Sequence, residues 1–363
     1  MPPWRYAFHL MFCTFCTFLC VIVTNLLIDP QGVFGTGIFG ASPNLNFRYA
    51  SFENYRRTSG QHDGLLFGSS RSRVISTAEL SSRMKGADFA TFSFPDGMAV
   101  DFLPFLEFVL NEKAAQGKHL KAVFLLLDLD GLGRRFEAGH AAIQMMMPPG
   151  LPGQSAVGFW WKNLSAIVFR SWINTVKAYL RHAPRSGAQA RSTDTASPSL
   201  YEAAIGRDNL EPAKIELIAE SGPPAVTADR PAAGNVDPRT GDQLERVTMR
   251  VDFPRHVQAL GRIVSLCRDN KIELVIATSP LSTEEALEYN WADMAKAIDI
   301  ISHIAPIWDF SDTAPLLDRP DLWDDPSHFK PVVADMMLRR IFGDAMPDGW
   351  KSFGRYTGRA PAS

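Results

Sequence analysis

Ala122-Val123-Phe124-Leu125-Leu126-Leu127 is an unbroken apolar run that ends at Asp128. Continuous apolarity, without the polar alternation of a half-exposed strand, suits a parallel strand covered on both faces. Upstream, Gly64-Leu65-Leu66-Phe67-Gly68 reads as a shorter strand of the same kind, and Asp88–Phe94 as another. Downstream, Ile272-Glu273-Leu274-Val275-Ile276-Ala277 repeats the pattern and Ala305-Pro306-Ile307-Trp308-Asp309 gives a weaker version. Apolar spacing places helices between them. One enters through Ser76-Thr77-Ala78-Glu79, which resembles a capping box, and one runs from Met98 to Ala115 with Phe102, Phe105, Leu106 and Val109 on a single face. Others fall at about 155–182, 246–269, 283–300 and 331–343. Strands alternating with helices predict an α/β protein with a doubly wound parallel sheet, flavodoxin-like in strand order, in a three-layer α/β/α sandwich.

Outward from this core, Tyr6–Ile28 contains no Asp, Glu, Lys or Arg. At about 1.5 Å per residue it is long enough for the roughly 30 Å hydrocarbon core of a bilayer. It exceeds the usual apolar run of a cleaved signal and no A-x-A-like site follows, so the reading is one transmembrane helix that anchors the chain. Arg5 on one side and Asp29 on the other place the short amino tail in the cytoplasm and the rest outside the inner membrane. Cys13, Cys16 and Cys20 lie inside this run, which leaves Cys267 alone in the soluble part, so no disulfide can form there. The expected organisation is a tail and anchor over 1–28, a Gly-, Pro- and Asn-rich stalk over 29–59, the α/β domain over 60–345 and a C-terminal tail over 346–363. Within the domain, about 185–242 turns rich in Ala, Ser, Gly, Pro and Arg and reads as an insertion.

The 363 residues are 46% hydrophobic and 21% charged, a balance that fits a globular chain and neither disorder nor a fibrous repeat. A net charge of -2 with no Lys/Arg stripe argues against nucleic acid as partner.

In open parallel sheets, ligands bind outside the carboxyl ends of the strands, so the polar residues just past each strand carry the chemistry. Here the first strand ends in Gly68-Ser69-Ser70-Arg71, the second in Ser93-Phe94-Pro95-Asp96-Gly97, and Asp325-Pro326-Ser327-His328 stands near the carboxyl end. These three blocks, in this order, resemble those of the SGNH (GDSL-like) hydrolases. The resemblance implies Ser70 as nucleophile, Asp325 and His328 as the rest of its triad, and the backbone N–H groups of Ser70 and Gly97 as an oxyanion hole. The residue types suit that chemistry. A serine hydroxyl is a weak nucleophile until a neutral imidazole accepts its proton, and a carboxylate must hold that imidazole in one tautomer.

One block departs. The family places G-x-N-D after the third strand, whereas this chain has Leu127-Asp128-Leu129-Asp130-Gly131, with no side-chain amide for the oxyanion. Asp128 and Asp130 are therefore expected to position substrate or bind a structural partner. Arg71 is a candidate clamp for an anionic substrate group. Trp323, near Asp325 and His328, is expected to line the site, while Trp160, Trp161, Phe169 and Trp172 at helical spacing read as core.

Together with the anchor, the blocks resemble the SGNH-like branch that includes alginate O-acetylation proteins and the teichoic acid D-alanylation protein. That resemblance implies an extracytoplasmic serine acyltransferase or esterase working on O-acyl, chiefly O-acetyl, groups of a cell-envelope polysaccharide. No metal or organic cofactor is implied, and a membrane-bound acyltransferase is a candidate partner. A catalytically weak binding or scaffold component of an envelope-assembly complex is the alternative, and an acyl-thioester hydrolase facing the cytoplasm would need the opposite topology.

Overall fold

The computed structural model describes residues 3–37, 45–129, 145–169, 253–286, 289, 291–311 and 319–358. The insertion read at about 185–242 lies outside them, as do Asp130 and Trp172. The chain forms two compact units. The first contains Met1–Arg57 and Glu137–Gly206, the second Thr58–Phe136 and Arg207–Ser363.

In chain order the elements are α1 (Pro3–Ile28), α2 (Phe47–Thr58), β1 (Gly64–Gly68), a 3-10 turn (Ser70–Val74), α3 (Thr77–Arg83), β2 (Phe89–Ser93), α4 (Ala99–Ala115), β3 (Ala122–Leu127) and α5 (Ala156–Phe169). There follow α6 (Phe253–Asp269), β4 (Glu273–Thr278), α7 (Thr283–Ala286), α8 (Trp291–Ile304), β5 (Ile307–Asp309), β6 (Trp323–Asp325), β7 (His328–Phe329), α9 (Pro331–Phe342) and β8 (Arg355–Thr357).

In the first unit, α1 is long and apolar enough to cross a membrane, judged by length and composition. Its side chains stand exposed except toward the C-terminal end, where Asn25 and Ile28 are buried. Asp29 closes the helix in a turn, its carboxylate accepting from the backbone N–H groups of Val33, Phe34 and Gly35. The stretch read as an irregular stalk thus begins with a built turn, and it ends in α2. Nearby, Tyr49 stacks on Phe159 of α5 with centroids 5.3 Å apart.

The second unit holds a six-stranded sheet in the order β2-β1-β3-β4-β5-β8. The first five strands are parallel, in the 2-1-3-4-5 order of a flavodoxin-like doubly wound sheet. Every residue of β1 and β3 is buried, as their uninterrupted apolarity requires. Side chains alternate across the sheet. Leu66, Phe124, Leu126 and Ala277 join the core cluster with Leu80 of α3, Met84 just past it, and Val333, Met336 and Met337 of α9. Phe67 and Phe92 point the other way, onto Phe102 and Phe105 of α4. The result is helices on both faces of a mostly parallel sheet.

The sixth strand is a departure from expectation. Residues 346–363 read as a tail, yet Arg355–Thr357 adds antiparallel to β5, with Asp309 opposite Arg355. The Arg355 guanidinium reaches the buried Asp309 carboxylate at 3.0 Å. Asp309 also accepts from Thr278 Oγ1 and from Ser311 Oγ and N. A buried carboxylate at a strand end needs such partners, and a three-residue strand that supplies one carries too little hydrophobic pattern to stand out in sequence.

Cys267 is buried on α6, and that burial pushes its thiol up to about 12.

Candidate active site

β1 delivers its carboxyl end directly into the 3-10 turn that begins at Ser70. Ser69 caps this turn, its hydroxyl accepting from Arg71 N at 3.1 Å, and Ser72 Oγ returns to Ser69 O at 2.8 Å. Ser72 Oγ also bonds to Ser93 Oγ at the end of β2, which ties the turn to the neighbouring strand. Gly68 permits this tight exit because a Cβ there would collide with the Ser72 side chain. As the first residue of the turn, Ser70 has a backbone N–H with no intrahelical acceptor.

Far along the chain, β6 and β7 form a short antiparallel hairpin in which Asp325 pairs with His328. Its turn, Pro326-Ser327, is held by the carboxylate itself. Asp325 Oδ1 accepts from Ser327 N at 2.8 Å and from His328 N at 3.0 Å. Both carboxylate oxygens lie 2.9 Å from His328 Nδ1. Partial burial raises the Asp325 carboxyl, but the Ser327 N–H, the His328 ring and its charge, and the His328 N–H together outweigh it and hold the group below its ordinary value.

In the neutral ring, a proton on Nδ1 directed at Asp325 leaves Nε2 unprotonated on the opposite edge. That atom lies 2.8 Å from Ser70 Oγ, across a separation of 258 positions. Serine, imidazole and carboxylate are thus in hydrogen-bonded series. Such a series can draw the proton from Ser70 as its oxygen attacks an electrophilic carbon.

Other expected residues are placed differently. Arg71, read as a substrate clamp, is only 5% exposed in its side chain and turns inward. Its guanidinium pairs with Glu285, lies 3.6 Å from Asp128, and donates through Nε to Ser327 O at 2.8 Å. Asp128 is therefore engaged with Arg71 beneath the site, and its charge is offset there. Trp323 packs edge-on against Phe329 within the core cluster rather than standing open to the site.

Gly97 lies close to the Ser70 turn, since a Cβ on it would stand 3.0 Å from Gly68 O and 2.9 Å from the Phe102 ring. Its N–H, however, donates to Phe94 O at 3.1 Å, so that donor is spent in a local turn. What Gly97 provides is close approach, because a local backbone bond at the strand end outcompetes an unfilled position.

Sequence reasoning missed Ser282, Glu285 and Tyr289. Ser282 Oγ donates to Pro326 O at 2.6 Å and accepts from Glu285 N, and Tyr289 donates to Glu285. With Arg71, these residues hold the Asp325–His328 turn from below. They follow β4, and weighing polar residues past every strand, rather than past the motif-bearing ones alone, would have flagged them.

The fold and this geometry define a doubly wound α/β protein with a serine, a histidine and an aspartate in hydrogen-bonded series beyond the sheet's carboxyl edge. No protein-family model matches the chain, and no curated protein is significantly similar to it.

Proposed function

We propose that the chain is a membrane-anchored, serine-dependent acyltransferase or esterase of the SGNH type, acting on O-acyl groups, chiefly O-acetyl, of a cell-envelope polysaccharide. The observation that carries this reading is the series Ser70 Oγ to His328 Nε2 at 2.8 Å and His328 Nδ1 to Asp325 at 2.9 Å. Ser70 Oγ attacks the acyl carbon while its proton passes to Nε2. The ester's C–O bond then breaks, and Nε2 returns the proton to the departing alkoxide. The acyl group left on Ser70 passes to water in hydrolysis or to a sugar hydroxyl in transfer: Nε2 accepts the proton of the attacking hydroxyl, the bond from the acyl carbon to Ser70 Oγ breaks, and Nε2 returns that proton to Ser70 Oγ. Asp325 keeps the ring oriented and stabilises the imidazolium.

The oxyanion is served by the Ser70 N–H, while Asp128 is turned to Arg71 and away from that role. His328 and Asp325 are themselves exposed to solvent, which suits a polymer laid across the surface. By this reading α1 anchors the chain in the inner membrane and the enzymatic unit faces the exterior.

The decisive experiment treats purified protein with a serine-directed fluorophosphonate and maps the adduct. Labelling of Ser70, absent in His328→Ala, supports the proposal, and its failure in folded protein sinks it. The engagement of the Gly97 N–H favours a second reading, a weakly catalytic scaffold of an envelope-assembly complex. That reading requires Ser70→Ala to complement a deletion strain in full.

A further inference from the structure

The helix α5 is apolar on two faces. Phe159, Asn163 and Ile167 are buried within the first unit. Val157, Trp160, Trp161 and Leu164, at spacings of three and four, form a second stripe. Of these, Val157 is 82%, Trp161 73% and Leu164 50% exposed. Trp161 was expected in the core, and its burial partner is absent from the described residues of this chain. A helix with a second apolar stripe on its exposed side calls for an apolar environment there as well.

What supplies that environment follows from where α5 is attached. Asn25, near the end of α1, donates through Nδ2 to Ile167 O at 2.7 Å. Just past α1, Phe34 packs against Trp160 with centroids 6.0 Å apart. α5 is therefore fastened at Trp160 and at Ile167 to the exit of the apolar helix. If Tyr6 stands at one face of a bilayer, the run to Asn25 covers about 30 Å at 1.5 Å per residue, the thickness of the hydrocarbon core. Asn25, and with it α5, then falls at the headgroup level of the other face. Tryptophan is enriched at that depth, and an apolar helical face with a polar rim lies there readily. The one charge in α5, Lys162, is exposed and carries a stem long enough to reach anionic headgroups.

We propose that the Val157–Trp161–Leu164 face of α5 lies in the interfacial zone of the membrane that α1 crosses, as a second point of lipid contact. This stands apart from the acyl-transfer reading and rests on α1 alone.

The test uses the full chain with its four cysteines replaced by alanine, in phosphatidylethanolamine–phosphatidylglycerol vesicles. A nitroxide is placed in turn on Val157→Cys, Trp161→Cys and Leu164→Cys, with Phe15→Cys on α1 and Lys351→Cys as references. Relaxation by oxygen, which enriches in lipid, is compared with relaxation by a water-soluble nickel chelate. The three α5 positions are expected to shift toward oxygen relative to Lys351, and less far than Phe15. An oxygen-to-nickel ratio equal to that of Lys351 overturns the proposal. So does shielding from both agents, which means that protein covers the face, with spin–spin broadening identifying a second copy. An aqueous ratio at Phe15 removes α1 from the bilayer and the inference with it. Three separate, already exposed positions keep the outcome independent of any single variant's folding.

Discussion

Ser70 Oγ and His328 Nε2 lie 2.8 Å apart although 258 positions separate them in the chain. The hydroxyl comes from the exit of β1 and the ring from the β6–β7 hairpin, so their meeting depends on two turns from distant segments, which Arg71 Nε ties together by donating to Ser327 O.

Replacing either partner should abolish serine-dependent turnover while leaving the fold intact, since neither side chain fills the core. Ser70→Ala and His328→Ala are each expected to lower the cleavage of a small acetyl ester by roughly 10³-fold or more. Equal losses in both single variants and in the double variant would mark a unit acting together. Additive losses would count against it.

Asp325→Asn should cost on the order of 10⁴ in kcat, because an amide no longer enforces the tautomer that leaves Nε2 free. It also has a signature in stability. A carboxyl held below its ordinary value in the fold contributes stability above its unfolded value, and that contribution is lost as pH falls through the lowered one. Chemical denaturation of wild type and Asp325→Asn should therefore converge as pH drops below about 4, and differ most near neutrality.

Arg71→Met should destabilise by about 3–5 kcal/mol, since it strands the Glu285 and Asp128 carboxylates in the interior. Adding Glu285→Gln should restore part of the melting temperature. Arg71→Lys retains charge but not the fork that reaches both Glu285 and Ser327 O, so kcat should fall with KM little changed. A rise in KM alone would return Arg71 to the substrate.

Arg355→Ala removes one partner of Asp309 while Thr278 and Ser311 remain, and should cost about 1–3 kcal/mol in thermal or denaturant unfolding. No measurable change would mean that the Arg355–Asp309 contact contributes nothing to the stability of the sheet's edge.

Gly97→Ala should slow turnover more than it destabilises, because its Cβ presses on Gly68 O, two residues before Ser70. Overpacking of this kind typically costs about 1–3 kcal/mol. The check is kcat measured beside the melting temperature.

Much of the fold was legible before any coordinates. Strands covered on both faces need side chains apolar at every position, so Gly64–Gly68 and Ala122–Leu127 announced themselves, and their alternation with periodic helices implied the parallel sheet. Ser70, Asp325 and His328 were singled out for a different reason: their short blocks, in their order along the chain, resemble those of a known family, and only the Asp325–His328 pair is complete locally. A three-residue spacing lets Asp325 reach both the backbone and the ring of His328.

The destination of side chains whose partners come from elsewhere in the chain was not. Arg71 reads as a free cation beside a nucleophile until the α7 turn brings Glu285 against it, and Trp161 reads as core until α5 is seen with that face uncovered. Periodicity records whether a position prefers water, so the sequence by itself determined the layers of this protein and the candidates at its edge. Only the tertiary structure decided which charges neutralise one another and which backbone donors are already spent, because those outcomes depend on contacts between segments that carry no trace of each other in their local pattern.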